Sequence, residues 1–240
     1  MTFDELGDRM KQYENVSDYY LPERIPIILR LDGRSFHTIT KVGGFHKPFD
    51  IDLHKSFIEI ASSLLNEIQG SRFAYSQSDE ISILIYQKNV LSQPWFGNRL
   101  SKMVSVSAST ASSIFNMKFP NRFKSIIPTF DARAFAIPAM EVENYFIWRQ
   151  QDAIRNSIFS WARCFFSQKE LHGKSTVEMK EMLNDVSKWE TIDFWMQRGS
   201  VILHDNASYA PHFVTEREWF KPLTKDPIFE KPKSADEKLQ

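Results

Sequence analysis

Acidic residues stand at two places where the chain otherwise reads as β-structure. FAYSQSDEISILIY carries Asp79 and Glu80 between two strongly β-forming stretches, and IPIILRLDGRSF ends an apolar run on Asp32. Ser-Asp and Asp-Gly are ordinary turn chemistry, because a short polar side chain can hydrogen-bond its own backbone. Two carboxylates brought together from such turns do more. At ~4 Å and an effective dielectric of about 20 they repel by about 4 kcal/mol, so the pair calls for a cation or a shared proton. With no His or Cys cluster beside them, hard oxygen ligands suit Mg²⁺, which keeps waters and borrows further ligands from phosphates. Two such ions ~3.5–4 Å apart clamp the attacking and leaving oxygens of a phosphoryl displacement. Gly33 lets backbone come close to an ion or a triphosphate. Arg34, Ser35 and His37 follow as donors to phosphate oxygens.

A sheet must position these acids. IPIILRLD reads as a strand buried on both faces, and IDLHKSFIEIASSLLNEIQG has apolar residues at helical spacing. RFAYSQ and ISILIYQ then form a hairpin turning at Ser78-Asp79-Glu80. NRLSKMVSVSASTASSIFNMKF can be a helix with small packing positions, and PTFDARAFAIP is a strand bounded by prolines. The order from Ile25 to Ile137 is strand, helix, strand, strand, helix, strand: an α+β class in the ferredoxin-like β-α-β-β-α-β order. There the first strand lies beside the hairpin, so Asp32 and Asp79 can meet at one sheet edge. Many functions share such a sheet, and the fold alone decides none of them. A long helix over MEVENYFIWRQQDAIRNSIFSWARCFF, a shorter one near TVEMKEMLNDV, a strand GSVILH and another near HFVTER follow. The expected organisation is a catalytic core with an N-terminal helix at 1–138, an extension packed on it at 139–228, and a flexible tail at 229–240.

Lys+Arg 30 balances Asp+Glu 30 in 240 residues that are 42% hydrophobic, a globular composition that argues against a generic polyanion binder. One cysteine, Cys164, excludes a disulfide framework. The opening MTFDELGDRMKQYE carries acids where a leader peptide needs an apolar core, and no apolar run approaches the ~20 residues of a membrane span. A cytoplasmic protein without membrane contact is expected.

Other residues recur at helical spacing. Arg99 and Lys102 can present two charges together, either to phosphates or simply to solvent. Arg149, Asp152 and Asn156 form a polar stripe that suits either RNA contact or a buried network. Arg198 can touch phosphate or cover a strand end, and Arg133 can pair with Asp131. His46 and His54 are expected at the surface, Trp148 and Trp161 in the core.

RLDGRSFHTITK, FHKPFD, YSQSDEIS, NRLSK, FDARAF, WRQQDAIRN and QRGSVI occur in the order found in the tRNA-His guanylyltransferase family, which this chain resembles from about Leu29 to Leu203. The resemblance implies a polymerase-like palm, two Mg²⁺ ions, and addition of nucleotides to tRNA 5′ ends in the 3′-to-5′ direction. It implies metal ligation by Asp32, the Gly33 carbonyl and Asp79, with Glu80 supporting the catalytic acids. Gly33, Arg34, Ser35, Phe36, His37, Lys47 and Ser78 would hold the nucleoside triphosphate, GTP or ATP. Arg99, Lys102, Arg133, Arg149, Asp152, Asn156 and Arg198 would face phosphate or tRNA, in a homo-oligomer, dimeric or tetrameric. One departure stands out. Members that read the tRNA-His anticodon carry His-x-Asn-Asn where this chain has Ile154, Arg155, Asn156 and Ser157. The chain thus looks like the family's repair branch, which restores truncated 5′ ends by templated addition. Strict tRNA-His guanylylation, a palm-type nucleotide cyclase and a catalytically silent RNA-binding palm are the rival readings.

Overall fold

The apolar run IILRLDG forms β1 (Ile27–Gly33), an inner strand of the sheet in the computed structural model, which describes residues 3–87, 92–186, 192–204 and 208–209. With it lie β2 (Ser71–Gln77), β3 (Glu80–Ile85), β4 (Phe130–Ala136), β5 (Ser200–Ile202) and β6 (Ser208–Tyr209), in the order β4-β1-β3-β2-β5-β6. All five pairings are antiparallel. β1 is apolar on both faces because both are covered. Leu29 and Leu31 enter one core, and Ile28 enters a second with Phe73, Tyr75, Leu84 and Phe146. The register sets Asp32 opposite Glu80 on one side and Asp131 on the other.

The first face is covered by α3 (Ile51–Glu67) and α4 (Leu100–Lys118). Asp50 caps α3, its carboxylate accepting from the amides of Asp52 and Leu53 at 2.9 Å, which meets two of the unpaired amides of a first turn. Phe57, Ile60, Ala61, Leu64 and Leu65 then fall on one buried stripe. In α4 the buried stripe is Met103, Ser107, Ala111 and Phe115, four apart, and Ser107 donates back to the Met103 carbonyl. Small residues there allow the helix to sit close to its neighbours. Between β1 and α3 the short α2 (Phe36–Val42) drives Phe36 inward. Phe36, Phe57, Phe115 and Phe130 all touch one another, with ring centroids from 5.1 to 6.1 Å apart. Such pairs contribute about 0.5–1.5 kcal/mol each beyond their burial.

The second face carries α5 (Val142–Ala162), preceded in the chain by α1 (Phe3–Asn15) and followed by α6 (Gln168–Leu171), α7 (Thr176–Val186) and α8 (Phe194–Arg198). Its first half packs on the sheet, and its second half joins α6 and α7 through Ile158, Ala162, Leu171, Met179 and Leu183. No helix among the described residues is long and apolar enough to cross a membrane. The strand expected near HFVTER and the tail lie outside the described residues.

α8 turns into β5 at Gly199, where φ is +74° and an added Cβ would lie 2.5 Å from the Ser76 carbonyl oxygen. Gly173 has nearly the same φ, +76°, with open space around it. Gly173→Ala therefore meets only backbone strain, about 1 kcal/mol, whereas Gly199→Ala adds a backbone clash that raises the loss by a further ~1–3 kcal/mol. Paired thermal melts should rank the two in that order; equal losses would mean the β2–β5 approach is soft.

Candidate active site

Asp32 ends β1, and Asp79 sits in the two-residue turn between β2 and β3. Ser78 takes a left-handed φ of 50° there, and its hydroxyl donates to Asp79 Oδ1 at 3.0 Å. The Gly33 amide donates to the Asp79 carbonyl at 3.0 Å, fastening the strand end to the turn. Glycine is needed for steric reasons: a Cβ on Gly33 would lie 2.3 Å from the Phe36 ring. The Asp32 charge is felt at Asp79. Burial, and then Asp32, holds the Asp79 carboxyl above the usual range; burial and then Asp131 raise Asp32, against Arg133, Arg30 and Arg149. Among the described residues, no three His, Cys, Asp or Glu side chains are grouped to hold a metal. Asp32, Asp79 and the Gly33 carbonyl would offer a sparse, all-oxygen donor set. That chemistry fits an ion that keeps most ligands as water or phosphate, as Mg²⁺ does, and does not fit a dedicated protein cage.

Glu80 is differently employed. Arg149, buried on α5, donates from Nε to Oε1 and from Nη2 to Oε2 of Glu80, each at 2.8 Å, and also reaches Asp152 Oδ2 at 3.0 Å. Asn156 donates to the same Asp152 oxygen at 3.3 Å. The stripe Arg149, Asp152, Asn156 is thus an internal network, as its buried alternative requires, and Arg149 is not available to RNA. Both Glu80 oxygens are held by a guanidinium, which gives Glu80 a positioning role. It fixes α5 beside the hairpin.

The triphosphate-binding expectation divides in the same way. Arg34, Ser35, His37 and Lys47 are exposed, but Phe36 belongs to the aromatic core and offers no side chain to a ligand. Arg133 pairs with Asp131 at 3.7 Å on the exposed part of β4. Arg198 lies over the Phe194 ring, 4.9 Å from its centroid, and its carbonyl accepts from Tyr75 at 2.5 Å, so it closes a strand end.

Arg99 and Lys102 lie elsewhere. β3 runs away from the Asp79 turn, so the helix that follows must begin at the far end of the sheet. There Leu21 donates to Asn98 and Leu100 to Tyr19, just ahead of β1. At ~3.3 Å per strand residue, that end is roughly 15–20 Å from Asp32. Arg99 pairs with Asp18, and Lys102 stands 5.8 Å from the Phe96 ring centroid. Within one chain they do not share a pocket with the acids.

A cavity of about 130 Å³ beside the turn went unforeseen; Ser78, Phe49, His54, Asn156 and Trp195 help to line it. His54 stacks on Trp195, centroids 4.2 Å apart, and burial pushes its pKa down to about 4, so it is neutral at physiological pH. It is not the surface residue its polarity suggested; His46 is. Trp148 likewise departs from the core assignment, being 50% exposed, and Trp161 is half-buried. Trp195 carries no periodic or motif signal that would have marked it.

Two substitutions separate the roles of adjacent acids. Glu80→Ala removes two of the three carboxylate bonds of a buried guanidinium and leaves it to Asp152 alone, which costs about 2 kcal/mol and should lower the melting temperature by on the order of 5 °C. Asp79→Asn acts oppositely. A carboxyl that holds its proton more tightly when folded destabilises the fold as pH rises through the window from ~3.9 to its raised value. With chelator at pH 7 the variant should melt above the unsubstituted chain, and the gain should vanish near pH 3. A lower melting temperature at pH 7 would make Asp79 a structural acid.

A profile described as tRNAHis guanylyltransferase matches residues 7–138. A bacterial tRNA(His) guanylyltransferase-like protein solved in complex with ATP is 40% identical, over 94% of this chain and 100% of that one, with a TM-score of 0.83. Such a bacterial protein in complex with GTP is 44% identical, over 83% of this chain and 84% of that one, with a TM-score of 0.72. The tRNA(His) guanylyltransferase of Debaryomyces hansenii is 34% identical over 158 residues, which are 63% of this chain and 57% of that enzyme. The chain spans little more than half of that relative's length. With more than half of its residues inside the profile and a bacterial family member superposing over nearly its whole length, the chain belongs to the tRNA-His guanylyltransferase family of nucleotidyltransferases.

Proposed function

We propose that the chain extends tRNA at its 5′ end in the 3′-to-5′ direction, with Mg²⁺, by templated repair of truncated molecules. The observation that carries this reading is the Asp32–Asp79 pair, locked together through Gly33 while the neighbouring Glu80 is neutralised by Arg149. The strand order β4-β1-β3-β2, with α3 and α4 on one face, supports a ferredoxin-like palm as the framework. The ATP and GTP carried by the bacterial structures support a nucleoside triphosphate at this site.

Asp32, Asp79 and the Gly33 carbonyl would hold two Mg²⁺ ions, which supply positive charge to the transferring phosphoryl group and the departing pyrophosphate. The chain's own work is placement. Arg34, His37 and Lys47 are exposed donors for a triphosphate, and the stacked His54–Trp195 pair offers a flat wall to a base. The incoming nucleotide's 3′ hydroxyl attacks the α-phosphorus of the activated 5′ end, displacing pyrophosphate from a 5′ triphosphate or a nucleoside monophosphate from a nucleotidylated 5′ monophosphate. Phosphate contacts position the substrates without reading bases, so the choice of nucleotide falls to pairing with the opposite 3′ strand. With Ile154 and Ser157 in place of the His and second Asn, the chain would not require the tRNA-His anticodon.

The test uses several tRNAs, each lacking its first 5′ nucleotide, with all four nucleoside triphosphates supplied. Incorporation should follow the templating base in each tRNA and weaken as salt rises. Asp79→Ala should lose about 3 kcal/mol or more of barrier lowering, over a hundredfold in rate. Extension of tRNA-His alone, always with guanosine, would replace repair by maturation; label transfer without RNA would indicate a cyclase.

We also propose a closed symmetric homo-oligomer, a dimer or tetramer. One chain keeps Arg99 and Lys102 at the far end of the sheet, and Met140 and Trp148 are 62% and 50% exposed. Sedimentation at assay concentrations should give a defined multimer. A fully active monomer would overturn this.

A further inference from the structure

The chain is neutral overall, yet its charge is sorted beside the carboxylate turn. Residues 33–49 and 116–130 together hold Arg34, Lys41, Lys47, Lys118, Arg122 and Lys124, with His37 and His46, and no Asp or Glu. The fold brings these two distant segments together. The Arg34 amide donates to the Thr129 carbonyl at 2.9 Å, Phe45 meets Phe119 with centroids 5.2 Å apart, and Gly43 lies against the Phe123 ring. Lys118 pairs with Glu59 at the border of the face. Among the described residues, Arg34, Lys41, Arg122 and Lys124 form no ion pair, and all are exposed.

Arg122 is the most informative of them. Its guanidinium sits over the Phe45 ring, 4.2 Å from the centroid, and 5.1 Å from that of Phe119. An aromatic face orients a guanidinium without cancelling its charge, leaving the planar fork free for a bidentate phosphate. A surface meant only for solubility would intersperse both signs and would have no need to fix a cation in place.

We propose that this face, formed by Lys41, Arg122 and Lys124 and continuous with Arg34, is a docking track for RNA backbone phosphates leading to the Asp32–Asp79 turn. The inference rests on the nucleotidyltransferase reading for its substrate, and it extends that reading to a surface away from the triphosphate. The charge-sorted face chooses a polyanion, and a guanidinium held flat chooses phosphates over scattered carboxylates.

The experiment measures binding of a tRNA lacking its first 5′ nucleotide across a salt series, for the full chain and for a Lys41→Gln/Lys124→Gln variant. Each lost phosphate contact should reduce the slope of log affinity against log salt by about one. The double variant should therefore lose about two units of slope and bind at least about fivefold more weakly at 0.1 M salt. Its GTP affinity and melting temperature should be unchanged. Arg122→Lys, which keeps the charge but loses the planar fork, should also weaken RNA binding. Unchanged affinity and slope in both variants would overturn the track, as would equally salt-steep capture of polyglutamate, which would assign the face to an acidic polypeptide. If the unsubstituted chain binds tRNA as described but adds no nucleotide, the proposed activity fails while the track stands.

Discussion

The hydrogen bond from the Gly33 amide to the Asp79 carbonyl sets the geometry on which the site depends. It extends the β1–β3 ladder past its last pair, Asp32 with Glu80, and so closes a strand end onto a hairpin turn. That bond ties together the backbones from which Asp32 and Asp79 project. The repulsion between them is built in by main-chain pairing, which is far stronger collectively than one pair of like charges at a partly buried site.

The acids around this point are sorted by what faces them. Glu80 meets a buried guanidinium and is spent on architecture, and Asp50 is spent on capping α3. Asp131 pairs with Arg133 in the open. Asp32 and Asp79 are left under-compensated, and their raised proton affinities record it. Unfavourable electrostatics at a functional site are tolerated when the surroundings over-determine the structure. Here four mutually packed phenylalanines lie directly behind Gly33.

Much of this was legible beforehand, for local reasons. Strand runs, Gly33 and the Ser-Asp turn are encoded within a few residues, and the strand–helix alternation left few ways to place Asp32 other than beside the hairpin. What escaped depended on direction. Arg99 and Lys102 have the right types and spacing, but only the sense in which β3 runs reveals that α4 begins at the wrong end for them. Phe36 lies inside the segment expected to hold the triphosphate, yet the first turn of α2 points it into the core. His54 and Trp195 are separated by most of the chain and meet only because α8 returns to the sheet. Arg149 could not be assigned from spacing, since a polar helical stripe reads the same whether its partners are RNA or a buried glutamate.

The absence of a Cβ at Gly33 has a dynamic consequence. With the Phe36 ring filling that space and touching Phe57, Phe115 and Phe130, the strand end cannot flex alone. A turn on a free loop would open in rapid local excursions, but here the Gly33 amide is bonded to the Asp79 carbonyl and its residue sits on the aromatic layer beneath. Its protection against hydrogen exchange then belongs with the core strands and not with the loops, so the site is as rigid as the hydrophobic layer behind it.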